Sequence, residues 1–378
     1  MSRTVALLVA AGSGTRAGGE LPKQYRRIAG KALIAHAVDH LLRAGADDIR
    51  VVIGEGQEAL YREAIAGRPL PAPVIGGATR RQSVANALEA LAREGGVERV
   101  LIHDAARPFL YLDVWERLVA ALEDADLAVP ALPAVDTTIR ADGEPVPREA
   151  LLRVQTPQAC RFGSILAAHR AWSGGEATDD AQIGRAAGLR VTIVQGDPAL
   201  DKLTYEADFR RVEAMLLTPR VGMGLDVHAF AAGRELWLGG VRIPYDKGLA
   251  GHSDADVVLH AITDAILGAL GAGDIGDHFP PSDPQWRGAP SSLFLDHARA
   301  LVEAAGGRID HVDVTIVCEA PRIGPYRDAM RTRIAELLRL PPARISIKAT
   351  TTERLGFTGR GEGIAAQAVA SVRLPEDR

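Results

Sequence analysis

The sequence predicts an α/β protein of two domains, and three features support this. Before about residue 217, short apolar runs alternate with amphipathic stretches of helical length, which is typical of a mostly parallel sheet with crossover helices. The glycine-rich turn AAGSGTR follows the first apolar run, where open parallel sheets often bind ligands. The pattern breaks near Thr218 and Pro219, where RVGMGLDVHAF begins, so we expect domains of residues 1–218 and 219–378.

The predicted elements follow from hydrophobic periodicity and from turn residues. In the first domain, strands are predicted over residues 5–9, 49–53, 100–102, 127–130 and 191–194, and helices over 32–44, 80–93, 112–122 and 209–217. Residues 69–73 and 142–147 are predicted as loops. In the second domain, a strand is predicted to begin near residue 220, and helices are predicted over 254–270, 291–305 and 326–338.

Composition limits the classes of partner and compartment. The chain has 378 residues, 47% of them hydrophobic, and a net charge of -4, which argues against a nucleic acid as the main partner. Only Cys160 and Cys318 occur, so a reducing cytoplasm is expected rather than a disulfide framework. The first apolar run, TVALLVAAG, is too short for a membrane span or a typical signal core. We therefore expect no membrane partner.

The first candidate site is the turn that reads AAGSGTRAGGELPK. Its glycines allow the backbone to approach a ligand closely, with amides that can face phosphate oxygens, and Arg16 and Lys23 add positive charge. The turn matches neither the Walker A pattern nor the dinucleotide fingerprint. Taken alone, it is equally compatible with a structural turn and with a phosphate site.

Asp104 is the second feature of this domain, in IHDAARP directly after an apolar run. A carboxylate at the carboxyl end of a parallel strand, near phosphates, suits Mg²⁺. The alternative role of Asp104 is a helix cap, where Asp is favoured.

In the second domain, DVHAF places Asp226 and His228 two residues apart. Alternate residues of a strand share one face, so both side chains can reach one metal ion. The run GHSDADVVLH offers His252, Asp254, Asp256 and His260 as further ligands. One carboxylate and two imidazoles leave a position open on Zn²⁺, as in catalytic sites, although spacing alone is equally compatible with unrelated polar residues.

The tail IKATTTERLGFTGRGEGIAAQ is dense in hydroxyls and glycines. Thr350, Thr351 and Glu353 could hold phosphates and a second hard cation. A flexible loop is the alternative interpretation of the same composition.

Taken in order, AAGSGTR, PKQY, GG, HDAARP, VDT and TPQ resemble the 2-C-methyl-D-erythritol 4-phosphate cytidylyltransferase family over about residues 3–217. The resemblance implies a Rossmann-like nucleotidyltransferase fold with a dimer-forming arm, and a reaction of CTP with methylerythritol phosphate that releases pyrophosphate. It implies a CTP site lined by Ala10, Ala11, Gly12, Gly14 and Gly77, with Ser83 near it. Arg16, Lys23 and Lys202 would stabilise charge at the α-phosphate, and Asp104 would hold Mg²⁺ (or Mn²⁺). Arg107, Thr137, Arg148 and Thr178 would receive methylerythritol phosphate, the last two from a neighbouring subunit.

The second domain resembles the 2-C-methyl-D-erythritol 2,4-cyclodiphosphate synthase family over about residues 220–373, through GLDVHAF, LGGVRIPYDKGLAGHSDADVVLHA, GDIGDHFP, DVTIVCEAPRI and ATTTERLGFTGRGEGIA. This resemblance implies Zn²⁺ or a similar divalent ion on Asp226, His228 and His260. It places His252 and Ser253 near phosphates, Asp274 and Gly276 on the erythritol hydroxyls, and Ala320, Pro321, Arg322 and Ile323 at cytidine. Thr350, Thr351 and Glu353 would face the diphosphate, with a divalent ion on Glu353. The resemblance also implies that Phe357 and Arg360 would bind ligand, since in the family the counterpart of Arg360 can contact an isoprenoid-like molecule in the central cavity of a trimer.

Together, the two resemblances imply a bifunctional enzyme of the non-mevalonate isoprenoid precursor pathway. The second reaction would convert a cytidine-diphospho-methylerythritol 2-phosphate into a cyclodiphosphate and CMP. A kinase step separates the two reactions, so association with that kinase is an expected interaction, beside a trimer-based homo-oligomer or a hexamer. The alternatives are a different sugar-phosphate nucleotidyltransferase fused to a zinc phosphohydrolase, and a nucleotide-binding scaffold.

Overall fold

The computed structural model describes residues 3–12, 21–280 and 282–376. It divides into two compact units, Met1–Val212 and Glu213–Arg378. Among the described residues, no helix is both long and apolar enough to cross a membrane.

The first unit alternates strands and helices along most of its length. Its strands are β1 (Thr4–Ala10), β2 (Arg27–Ile28), β3 (Lys31–Ala32), β4 (Asp48–Ile53), β5 (Val74–Ile75), β6 (Arg99–Asp104), β7 (Leu127–Pro133), β8 (Thr138–Ile139), β9 (Pro145–Val146), β10 (Leu152–Val154), β11 (Gln158–Arg161) and β12 (Val191–Gln195). Its helices are α1 (Leu33–Ala44), α2 (Glu58–Ala64), α3 (Arg80–Glu94), α4 (Leu112–Ala121), α5 (Phe162–Ala171), α6 (Asp180–Ala186) and α7 (Glu206–Leu216), which extends past the unit boundary.

The main sheet of this unit has the order β10-β7-β11-β6-β1-β4-β5, and β12 also pairs with β7. Strands β6, β1, β4 and β5 are parallel neighbours, whereas β11 lies antiparallel between β6 and β7. Along β1, Ala6 and Leu8 pack in a core with α1 and α4, and Val5 and Leu7 pack in a core with α3 and α5. Both faces of the sheet are therefore covered, which explains why its central strands are apolar runs without alternation.

The second unit is built around one sheet of order β16-β13-β19-β17-β18. Its strands are β13 (Leu217–Ala232), β14 (Leu236–Leu238), β15 (Val241–Ile243), β16 (Lys247–Leu249), β17 (Arg308–Val317), β18 (Ile345–Thr350) and β19 (Gly363–Pro375). Its helices are α8 (Val257–Leu270), α9 (Ile275–His278), α10 (Ser292–Ala304), α11 (Arg327–Leu338) and α12 (Gly356–Gly359). One apolar core joins the sheet to α8, α10 and α11.

Helix α8 packs unusually close to β13. A Cβ atom built on Gly222 would lie 2.1 Å from the carbonyl oxygen of Ala265, and one on Gly224 would lie 2.1 Å from that of Ala261. No side chain fits at either position, so the two glycines let the helix backbone rest on the strand. Because residues of one parity share a strand face, Asp226 and His228 point to the same side as these glycines.

The predicted α/β class is confirmed, and the predicted helices and strands recur with shifted ends. The helix predicted over residues 209–217 is α7, but Leu217 belongs to β13. Helix α8 begins at Val257 rather than at residue 254, because Asp256 caps it by accepting the N–H groups of Val258 and Leu259. The predicted loop at residues 142–147 includes β9, which pairs with β8 in a short hairpin.

We expect Gly224→Ala to lower the free energy of unfolding of the second unit by about 1–3 kcal/mol, because the added methyl group forces α8 away from β13. Calorimetry of the full chain measures this change. The matched control is Gly268→Ala on the same interface, where a Cβ meets its nearest atoms at 3.8 Å and 3.9 Å. The control should be neutral or slightly stabilising, and equal stability of both variants would contradict the close contact.

Candidate active sites

A cavity of about 610 Å³ lies at the carboxyl ends of β1 and β6. Its lining includes eight residues that the sequence analysis singled out: Ala10, Ala11, Gly12, Lys23, Gly77, Ser83, Asp104 and Lys202. Gln24, Thr79 and Arg80 also line it, although the sequence analysis did not select them. Gly14 and Arg16, which were predicted to contact CTP, lie outside the described residues.

Asp104 carries two cationic partners in this cavity. Its Oδ2 lies 2.7 Å from Lys202 Nζ, and its Oδ1 lies 3.2 Å from Arg80 Nε. Burial by itself would raise the pKa of Asp104, but the charges of Arg80 and Lys202 outweigh it and hold that pKa well below its usual value. The carboxylate is therefore ionised, and the residues around it carry a net positive charge. Its side-chain partners are Arg80 and Lys202, and it caps none of the described helices.

Arg80 is the functional candidate that the sequence reasoning missed. Its Nη1 lies 2.9 Å from Oδ2 of the buried Asp180, whose Oδ1 lies 3.2 Å from His169 Nε2. Arg80 is the first residue of α3. It therefore links this helix to Asp104 at the end of β6 and to Asp180 at the start of α6. Its position directly after the GGAT turn was the available sequence signal, since helix N-termini and cations both attract phosphates.

Hydrogen bonds fix the turns that surround the cavity. Gln24 Nε2 donates to the carbonyl oxygens of Ala10 and Gly12 at 2.7 Å and 3.0 Å. Ser83 Oγ accepts the N–H of Gly77 at 3.1 Å and donates to the carbonyl of Thr79 at 2.9 Å. Ser83 therefore stabilises the turn that contains Gly77 and Thr79.

The predicted methylerythritol phosphate residues are not among the residues that line this cavity. Arg107 donates to the carbonyls of Leu200 and Val154. Thr137 and Arg148 lie exposed, beside the β8–β9 hairpin, and Thr178 bonds Gln182 on the surface. The structure of one chain thus brings together the predicted nucleotide residues but not the predicted acceptor residues.

In the second unit, Asp226 and His228 on β13 meet His260 on α8. Asp226 Oδ2 lies 2.9 Å from His260 Nδ1 and 3.0 Å from His228 Nε2, and the two imidazole nitrogens are 3.2 Å apart. Burial alone would raise the pKa of Asp226, but its hydrogen bonds with the two histidines hold that pKa well below its usual value. These three residues form a group that could hold one metal ion.

For the neutral form of each ring, the partner of its outer nitrogen indicates the tautomer that would bind a cation. His228 Nδ1 faces the Ala250 carbonyl at 2.5 Å, and a carbonyl only accepts, so in the neutral imidazole Nδ1 would bear the proton and Nε2 the lone pair. Ser291 donates its hydroxyl proton to Asp254, so it must accept from His260 Nε2, 2.8 Å away. His260 Nδ1 then also offers a lone pair. Three electron-pair donors converge, which is the arrangement that a divalent cation requires.

The sequence analysis did not predict that Ser291 bonds His260 or that Asp254 bonds Ser291. Asp254 was considered as a direct ligand, yet it accepts the Ser291 N–H and hydroxyl instead. The other considered carboxylate, Asp256, caps α8 and accepts the N–H groups of Gly239 and Gly240. Neither carboxylate belongs to the group of converging ligands.

A basic cavity of about 530 Å³ lies next to the three converging residues. It is lined by Arg234, Gly251, His252, Arg287 and Gly288. A Cβ on Gly251 would lie 3.1 Å from His228 Cε1, so the cavity borders the imidazole. Of the residues predicted to meet phosphates, His252 lines this cavity, whereas Ser253 Oγ lies 3.2 Å from His260 Nε2.

The remaining predicted residues occupy turns around the sheet. Asp274 caps α9 by accepting the N–H groups of Gly276 and Asp277. Thr351 Oγ1 donates to Glu353 Oε1 at 2.9 Å, and Thr350 Oγ1 donates to the Thr351 carbonyl.

The last predicted ligand-binding residues lie near the carboxyl ends of β17 and β18. Residues 320–323 follow β17, and Cys318 N–H bonds the Thr350 carbonyl at 3.2 Å. Phe357 lies exposed on α12, and Arg360 is paired with Glu362 at 2.7 Å.

Comparison with known proteins assigns both halves of the chain. Residues 4–218 match the 2-C-methyl-D-erythritol 4-phosphate cytidylyltransferase family, and residues 219–373 match the YgbB family. The bifunctional enzyme IspD/IspF of Rhizorhabdus wittichii is 61% identical over 376 residues, which cover 98% of this chain and 97% of the relative. That of Caulobacter vibrioides is 52% identical and covers 98% of each chain.

A solved structure supports the same assignment. The bifunctional IspDF from Campylobacter jejuni aligns with a TM-score of 0.50 and 33% identity, over 99% of each chain. The family resemblance inferred from the motifs is thereby confirmed for the whole length of both domains. The chain belongs to the bifunctional IspD/IspF family, in which a cytidylyltransferase domain precedes a cyclodiphosphate synthase domain, both of them enzymes of isoprenoid precursor synthesis.

Proposed function

We propose that the first unit converts CTP and 2-C-methyl-D-erythritol 4-phosphate to CDP-methylerythritol and diphosphate. We further propose that the second unit converts CDP-methylerythritol 2-phosphate to 2-C-methyl-D-erythritol 2,4-cyclodiphosphate and CMP. The observation that carries this is the presence of two separate sites for anionic ligands: a cavity with Arg80, Lys23 and Lys202, and a basic cavity beside three converging metal ligands.

In the first reaction, a phosphate oxygen of the acceptor attacks the α-phosphorus of CTP, and diphosphate leaves. No covalent enzyme nucleophile is needed, so the protein acts by positioning and by stabilising negative charge. Lys23, Lys202 and Arg16 are the proposed cations at the α-phosphate. Gly12 and Gly77 line the cavity and are proposed to contact the triphosphate.

Asp104 is the proposed ligand for Mg²⁺ or Mn²⁺, which would neutralise charge on the triphosphate. Both carboxylate oxygens contact cations, and we expect Arg80 or Lys202 to turn towards the phosphates as the metal binds Asp104. A triphosphate offers either cation such a partner, so nucleotide and metal are expected to enter together.

The acceptor pocket is proposed to include Arg107, Thr137, Arg148 and Thr178. Thr137 and Arg148 flank the exposed β8–β9 hairpin, where Val135 and Ile139 are 70% and 60% exposed. Apolar side chains exposed to this extent favour contact with a second subunit. This supports the proposal that Arg148 serves a neighbouring subunit's site, a role that is also proposed for Thr178.

In the second reaction, the 2-phosphate attacks the β-phosphorus and CMP leaves. Asp226, His228 and His260 would hold Zn²⁺ or a similar ion, which supplies a Lewis acid that neutralises phosphate charge. His252, with Arg234 and Arg287 beside it, is proposed to bind phosphate. Asp274 and Gly276 are proposed at the erythritol hydroxyls, residues 320–323 at cytidine, and Thr350, Thr351 and Glu353 at the diphosphate.

We also propose a domain boundary at residues 218 and 219, where the two family matches meet, and a trimer formed by the second unit. On the face of β13 opposite the glycines, Val221, Met223 and Leu225 are each more than 60% exposed, which favours burial against other copies. A dimerising first unit would extend the trimer to a hexamer. A cytoplasmic location and association with the intervening kinase complete the proposal.

The alternative of a different nucleotidyltransferase fused to a zinc phosphohydrolase is not favoured, because both family matches and full-length bifunctional relatives point to one enzyme pair. A scaffold without activity is disfavoured for the same reason. A comparison of CTP with UTP, ATP and GTP as substrates separates these alternatives.

Single substitutions should separate the two activities on one chain. Lys202→Ala is expected to lower diphosphate release by about 10²–10³-fold and to leave CMP release unchanged. His228→Ala is expected to abolish CMP release and to leave diphosphate release unchanged. Coupled assays with each purified substrate measure both rates on the same protein sample.

The matched controls for these two variants are Lys247→Ala and His311→Ala, because both side chains are exposed and lie outside the proposed sites. Circular dichroism confirms that each variant is folded. If either site variant changed both activities equally, or neither, the assignment of one reaction to each unit would be wrong.

Ser291→Ala should weaken binding of the divalent ion, because it removes the acceptor that holds His260 Nε2–H. Loss of such a supporting contact costs about 10–100-fold in metal affinity. Chelator competition with Zn²⁺, and the absorption spectrum of bound Co²⁺, measure the effect without enzyme turnover. Ser292→Ala is the control, since it leaves the Ser291–His260 bond intact, and equal affinity of the two variants would contradict the proposed role of Ser291.

A further inference from the structure

Glu319 lies just beyond the carboxyl end of β17 and reaches across to the turn that follows β18. Its Oε1 accepts the backbone N–H of Thr352 at 3.0 Å and that of Arg354 at 3.2 Å. Thr352 Oγ1 is also near, at 3.3 Å, but its single proton goes to the Leu355 carbonyl at 2.7 Å. One carboxylate oxygen thus holds two amides of one turn.

The turn itself has a demanding backbone. Glu353 and Arg354 are consecutive non-glycine residues with positive φ, +52° and +64°. Left-handed conformations are unfavourable for L-residues and persist only where the surroundings enforce them. The turn also packs against Gly359, where a Cβ would lie 2.1 Å from the Arg354 carbonyl carbon. Glu319 is the anion that gathers the inward-facing amides of this turn.

Such a group of convergent amides is a common binding site for anions such as phosphate. Here the carboxylate of Glu319 already occupies it, and the amides of Arg354 and Thr352 in turn hold the pKa of Glu319 below its usual value. A substrate diphosphate therefore cannot bind the inward-facing amides of Thr352 and Arg354. The outer side of the turn remains available to the diphosphate. On that side Thr351 Oγ1 donates to Glu353 Oε1 at 2.9 Å.

We propose that Glu319 is a positioning residue that ties the cytidine-binding segment to the diphosphate-binding turn of the cyclodiphosphate synthase site. It immediately precedes residues 320–323 in the chain, and it holds residues 352–354 by hydrogen bonds. The distance between the base and the phosphates of a bound nucleotide then depends on Glu319. This inference rests on the proposed function, which identifies the two segments as cytidine-binding and diphosphate-binding. The hydrogen bonds of Glu319 do not depend on that function.

Hydrogen–deuterium exchange of the full chain tests the bonds directly. Glu319→Ala should raise exchange of the peptide that covers residues 350–355 by about tenfold, because amides bonded to a charged acceptor lose that protection. Glu319→Gln keeps an acceptor oxygen at the same position and should retain most of the protection. Glu336→Ala, an exposed glutamate on α11, is the control and should leave this peptide unchanged.

Cyclisation kinetics test the positioning role. Glu319→Ala is expected to reduce kcat of CMP release by up to about 10²-fold, the cost of misplaced reacting groups. Its zinc content and its diphosphate release from CTP should stay at the wild-type level, because those sites lie elsewhere on the chain. Glu319→Gln should recover most of the lost kcat.

Unchanged exchange at residues 350–355 in Glu319→Ala would overturn the proposal, and so would a wild-type kcat. An equal loss of kcat in the Gln variant would also overturn it, since the charge rather than the acceptor would then matter. A wild-type chain that released no CMP would refute the proposed function instead, and the exchange experiment would still report on the Glu319 bonds.

Discussion

The contact between α8 and β13 is the one on which the second site depends. Gly222 and Gly224 bring the helix backbone within van der Waals distance of the strand. At that separation, His260, which lies one turn into α8, reaches Asp226 and His228 on the same face of β13. Asp226 Oδ2 lies about 3 Å from both imidazoles. A wider spacing would separate the imidazole of His260 from Asp226. The sequence of β13 must therefore meet two requirements together. Gly222 and Gly224 allow α8 to pack closely, and that packing brings His260 to Asp226 and His228.

The two sites stabilise their own charged groups differently. In the first unit, Asp104 is neutralised by Arg80 and Lys202, and Arg80 is held in turn by the buried Asp180. Asp104 and Asp180 are buried, so little water screens these two carboxylates, whereas the side chain of Lys202 is 39% exposed. In the second unit, the histidines are oriented by neutral partners, Ala250 and Ser291, which leave their lone pairs free for a cation.

Motif spacing predicted that Asp226 and His228 share one face of a strand, because the period of a strand is two. It left the third member of the group open, and only the family resemblance implied His260. Strand patterns also predicted the position of Asp104 from the rule that parallel strands present their carboxyl ends to ligands. They could not find Arg80, Ser291 or Glu319, because their partners are 24 or more residues away along the chain. Hydrophobic periodicity also did not predict β11, which lies antiparallel between β6 and β7 in the main sheet of the first unit.

The sequence by itself determined the two-domain α/β plan, the family of each half and the residue types of both sites, since these depend on local periodicity and on short motifs. Only the tertiary structure decided that Asp254 bonds Ser291 rather than joining Asp226, His228 and His260, that Ser83 braces a turn, and that Glu319 fills an amide-lined turn. Each of these roles depends on which partner a polar group meets once burial removes water. That choice is made by packing between distant segments, and no local pattern records it.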